Sequence, residues 1–69
     1  MFKEHEVVRL RRSIPASGLG AGQIGTVVVV YTDPGPAYEV EFVEDSGDTL
    51  ALLTLQEEAL EMWEPSSRE

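Results

Sequence analysis

The stretch "GAGQIGTVVVVYTDPG", residues 20–35, sets four valines in a row, Val27 to Val30, inside an acidic chain. A half-buried strand alternates apolar and polar side chains with a period of two. Here the apolar residues occupy both faces. Glycines precede the run and the Asp33-Pro34-Gly35-Pro36 turn follows it, so it reads as a strand from about Gln23 to Thr32. The phase adopted puts Val27 and Val29 inward, with Ile24 reaching the same face across a bulge at Gly25. Val28 and Val30 then point outward. High β propensity accounts for part of that choice. The remainder marks Val28 and Val30 as a surface covered by the chain's own loop or by another subunit.

Working outward, "HEVVRLRR" supplies Val8 and Leu10 on one face and Val7, Arg9 and Arg11 on the other, a half-buried strand. "SIPASGLGAG" carries Pro15 and three glycines and reads as an irregular loop, with Ile14 and Leu19 pinning it to the core. "AYEVEFV" alternates cleanly, placing Tyr38, Val40 and Phe42 on one face and Glu39 and Glu41 on the other. "EDSGD" is a hairpin loop with Gly47 free to take positive φ, and "TLALLTL" is the next strand.

Thr54 and Glu57 satisfy a capping-box spacing. The expectation is one helical or 3₁₀ turn over Gln56 to Ala59, then a closing strand from Leu60 to Glu64, stopped by Pro65. The whole is an all-β, five-stranded SH3-like small barrel over residues 1–64, with a flexible tail at 65–69. Its expected core is Val8, Leu10, Ile24, Val27, Val29, Tyr38, Val40, Phe42, Leu50, Leu52 and Leu60. Trp63 is expected to plug the end of the barrel, with its indole N–H near the rim.

The 69 residues make one domain near the lower size limit for independent folding. With no cysteine, the chain has neither a disulfide nor a thiolate nucleophile, and a single histidine removes the usual zinc clusters. The longest apolar run, Val27 to Tyr31, is far short of the roughly 20 residues of a spanning helix, so cytoplasmic residence is expected. Net charge is −8, divided as +2 over residues 1–32 and −10 over residues 33–69. The acidic half is a solubilising surface or a patch that steers a basic protein. It also disfavours tight nucleic-acid binding, which needs a cationic surface.

The succession "GLGAGQIGTVVVVY", "AYEVEFV", "GDTLALLTL" and "LEMW" resembles SH3-like barrels that open on G-x-x-G-T-V. More closely, it resembles an uncharacterised bacterial family, domain of unknown function 4926, from about Glu4 to Trp63. The elements that carry the resemblance are Gly22, Gly25, Thr26 and Val27, then residues 38–42, then Gly47, Thr49 and the leucines after them. It implies the barrel fold and relatives near toxin–antitoxin or mobile genes, and it supplies no catalytic residues. A looser similarity to KOW-type domains implies architecture only, because the basic loops of those domains are missing here.

The candidate chemistry is sparse. His5 lies between Glu4 and Glu6 and is expected to be an exposed residue leading into the first strand. Glu39 and Glu41 share a strand face roughly 7 Å apart. Retaining glycosidase pairs need about that separation or less, together with a deep pocket for which a barrel this small has little room. Glu44, Asp45 and Asp48 do not follow a calcium-loop template. Gly20, Gly22 and Gly25 match G-x-G-x-x-G but lead into a strand, where a dinucleotide site needs a helix.

Two functions remain, and neither requires a cofactor or a membrane. The first is a non-catalytic protein-interaction module that binds a protein partner or itself through Val28, Val30, Glu39 and Glu41. The second is a nucleic-acid-binding barrel that uses Arg9, Arg11 and Arg12 beside Tyr31, Tyr38 and Trp63.

Overall fold

The computed structural model describes residues 1–63. Five antiparallel strands form one curled sheet: β1 (Val7–Leu10), β2 (Ile24–Tyr31), β3 (Ala37–Val43), β4 (Thr49–Gln56) and β5 (Leu60–Met62). Their spatial order is β4-β3-β2-β1-β5, so the last strand returns beside the first. A 3₁₀ turn over Glu57–Ala59 leads into β5, as the sequence predicts. The capping box does not form, because Gln56 is the N-cap and the Thr54 hydroxyl donates to Glu39 instead. The expected end of β5 at Glu64 and the expected tail at 65–69 lie outside the described residues.

The core is built from Val8 and Leu10 of β1, Val27 of β2, and Tyr38, Val40 and Phe42 of β3, with Leu60 of β5. Leu19 joins it from the loop after β1, where an Ile14–Leu19 bridge pinches a 3₁₀ turn at Pro15–Ser17. Gly47 takes φ +97° in the β3–β4 hairpin, as expected of a residue needing left-handed backbone.

Gly25 is a core position rather than a bulge. It lies opposite Phe42, where a Cβ would come within 2.7 Å of the Phe42 ring and of Val40. The aromatic ring occupies the space that a side chain on β2 would need. Ile24, expected in the core, is accordingly only half-buried.

The valine run resolves through its register with β3. Val27 pairs with Val40, yet Val29 pairs with Glu39 and Val30 with Tyr38. Val28 is the extra residue of a β-bulge, which reverses the facing of everything after it. Val29 is therefore exposed, whereas Val30 packs against the core and Val28 is half-buried. The sequence expectation for Val28, Val29 and Val30 is corrected on this point.

β4 is corrected in the same sense. Ala51, Leu53 and Leu55 face the core, and Leu50 and Leu52 face solvent. The register explains why: Ala51 lies opposite Phe42, Leu53 opposite Val40 and Leu55 opposite Tyr38. The large Phe42 ring takes the small partner, and volume matching across the pair sets the phase of the strand.

Candidate interaction surface

The outer face of β2, β3 and β4 carries several large apolar side chains that the core leaves out. Val29, Tyr31, Leu50 and Leu52 are 37, 42, 44 and 53 % exposed. Between them run Glu39 and Glu41, which keep the shared facing expected from the β3 alternation. Glu39 lies across from Val29 on one side and Thr54 on the other, and Glu41 lies between Thr26 and Leu52.

Hydroxyls hold both carboxylates in place. Oε1 of Glu39 accepts from the Thr54 hydroxyl at 2.7 Å and from the Tyr31 phenol at 3.3 Å. Oε2 of Glu41 accepts from Thr49 at 3.0 Å. The charge of Glu39 raises the Tyr31 pKa, since ionising the phenol would set a second negative charge beside the first. Both acids are thus held by hydroxyls among exposed apolar side chains. The sequence pointed to this surface through Glu39 and Glu41. It missed Val29, Tyr31, Leu50 and Leu52 as its apolar part.

A second cluster seals one end of the barrel. Phe2 is buried, with its ring edge-on to Tyr38 at 5.3 Å between centroids. The Tyr38 hydroxyl accepts the Phe2 N–H at 3.1 Å and donates to Oε1 of Glu57 at 3.0 Å. Oε2 of Glu57 pairs with the Met1 ammonium at 2.7 Å. Phe2 thus takes the plugging place expected of Trp63. Trp63 itself is half-buried and holds its backbone N–H on the Val7 carbonyl.

The Met1 ammonium, followed by the Tyr38 hydroxyl, holds the Glu57 carboxyl below its ordinary 4.5. A carboxyl whose folded pKa is depressed adds stability above its unfolded value and loses it as pH falls through the folded one. Denaturant midpoints should therefore drop as pH is lowered below 4.5. Glu57→Gln should flatten that acid limb, as a urea titration at several pH values would record. Burial chiefly, with help from Glu57, raises the Tyr38 pKa above its ordinary 10.0. Stability from the neutral phenol is complete below pH 10 and disappears as pH rises through the raised value.

The profile of the family described as "Domain of unknown function (DUF4926)" matches residues 4–62. The chain belongs to this family. No curated protein and no solved structure matches the chain significantly. Family membership therefore covers every strand and the outer face just described, and it assigns no activity to them.

In this family member the three arginines have different surroundings. The Arg9 guanidinium is engaged by Glu61 across the β1–β5 pair, with Nε 2.7 Å and Nη2 2.5 Å from the same carboxylate oxygen. Arg11 and Arg12 are exposed beyond the end of β1. Tyr38, expected beside them as a stacking surface, is completely buried, so that part of the nucleic-acid expectation is corrected.

His5 is exposed, at φ +71° in the turn before β1, and its N–H is bonded to the Val27 carbonyl. Gly20 and Gly22 lie in the turn before β2, and a strand follows Gly25, contrary to the dinucleotide pattern.

Two shallow hollows adjoin at the end of β4, about 560 and 570 Å³ in volume. One lies between the Pro34–Pro36 turn and Gln56–Glu58, and the other between Thr54–Gln56 and the Arg12–Ile14 segment. Their titratable side chains are Arg12, Glu57 and Glu58. None of the described helices is long and apolar enough to cross a membrane.

Proposed function

We propose that this domain is a non-catalytic protein-interaction module, resident in the cytoplasm, that presents the outer face of β2, β3 and β4 to a protein or to another copy of itself. The observation that carries the reading is the grouping of exposed Val29, Tyr31, Leu50 and Leu52 around the two anchored acids. Exposed apolar side chains interleaved with fixed polar groups make up many protein contacts. Glu39 and Glu41 add orientation, because a partner must satisfy or complement two fixed negative charges.

The test compares immobilised wild-type chain with Val29→Lys, identifying the retained proteins and repeating the binding with each of them purified. Val29 faces solvent, so the substitution leaves the core intact. A purified partner that binds wild type and fails to bind Val29→Lys supports the reading. Identical retention by both chains overturns it.

A further inference from the structure

Glu57 and Glu61 each hold a cation, the Met1 ammonium and the Arg9 guanidinium. Glu39 and Glu41, also half-buried, accept only from neutral hydroxyls and form no ion pair among the described residues. Each keeps one carboxylate oxygen, Oε2 of Glu39 and Oε1 of Glu41, without a hydrogen bond among the described residues. The strongest complement to such an oxygen is a charged donor.

An apolar side chain stands beside each acid on a neighbouring strand. Val29 lies opposite Glu39, and Leu52 lies opposite Glu41. One lysine or arginine side chain satisfies both members of such a pair, because its methylene stem covers apolar surface while its head reaches the charge. The two pairs follow each other roughly 7 Å apart along β3, and alternate residues of an extended segment repeat at the same distance.

We infer that the outer face of β2, β3 and β4 takes a basic, extended segment of a partner protein, in which two cationic side chains two residues apart reach Glu39 and Glu41. The inference rests on the interaction reading above and gives the chemistry of the partner. The outward line of β3 continues the pattern, since Ala37 and Val43 flank the two acids. The complementary segment is therefore apolar, cationic, cationic and apolar at alternate positions. Oε1 of Glu39 already accepts two hydrogen bonds, so a cation meets this carboxylate at its other oxygen, a single-point contact that suits an ammonium.

Charge also decides against a second copy stacked on this face. It would set its own Glu39 and Glu41 against these two, and the net charge of −8 on each chain opposes the approach.

An amide-resolved NMR titration of the purified chain with the blocked peptide Val-Ser-Lys-Ser-Lys-Ser-Val tests the inference. Saturable shifts are expected at Val29, Glu39, Glu41 and Leu52. The same peptide with glutamate in place of both lysines should produce none there. Glu39→Gln combined with Glu41→Gln should weaken binding about tenfold, the loss of two exposed ion pairs. Asp45→Asn combined with Glu58→Gln removes the same charge from the β3–β4 hairpin and from the 3₁₀ turn after β4. That variant should bind within about twofold of wild type, because salt screens exposed charges that do not touch the ligand. The core amides of each variant report that it is folded. Absence of saturable shifts, shifts centred away from β2 to β4, equal binding of the glutamate peptide, or equal losses in the two double variants overturns the inference. The immobilised-chain comparison with Val29→Lys reads the broader interaction proposal whatever the charge of the retained protein, so the two can fail independently.

Discussion

Gly25→Ala should lower the stability of the domain by about 2 kcal/mol, within the range for forcing a methyl group into a filled core. The new Cβ would stand 2.7 Å from Phe42 Cε1 and from Val40 Cγ1, both on fully buried side chains with no free volume to retreat into. A small single core supplies only about 3–5 kcal/mol in all. The loss therefore takes a large share of the total and should appear as a melting temperature lower by roughly 8–16 °C. Gly25→Val should leave no cooperative transition near room temperature. A calorimetric or circular dichroism melt reads both, and an unshifted Gly25→Ala melt would mean that Phe42 can move aside.

Phe2→Ala should cost about 3 kcal/mol, the lower end for truncating a buried aromatic side chain. The residue is 8 % exposed, and its ring covers the edge of Tyr38. Removing it would also wet the Tyr38 hydroxyl, weakening the link from the Phe2 N–H through Tyr38 to Glu57. Phe2→Leu, which keeps most of the apolar volume, should recover more than half of the loss. Chemical denaturation distinguishes the outcomes. If Phe2→Ala unfolds at the wild-type midpoint, the segment before β1 is dispensable to the fold.

These two positions also mark the limits of what the sequence could convey. The alternation of β3 was fully legible, because glutamates and large apolar residues take turns along it and leave a single phase. Leucine sits on both sides of β4, at 50 and 52 and again at 53 and 55, so periodicity alone cannot choose the buried face. The choice falls to the pairing of Ala51 with Phe42 across the β3–β4 hairpin, which the periodicity of β4 alone does not contain. Phe2 is one apolar residue ahead of a charged stretch and carries no periodic signal, yet its position at the barrel end makes it core.

The candidate surface was legible in the same uneven way. Glu39 and Glu41 followed from β3. Leu52 was hidden by the ambiguity of β4, and Val29 by a bulge that four identical residues cannot announce.

The bulge has a consequence for how the gene can change. Loss of one residue inside a strand ordinarily exchanges the buried and exposed sets beyond it. Loss of Val28 would leave Val27 opposite Val40, Val29 opposite Glu39 and Val30 opposite Tyr38, each facing as before. The run is uniform, so deletion of any one of its four valine codons yields the same protein. β2 therefore contains a place where a three-nucleotide deletion conserves every partner and alters only the bend of the strand.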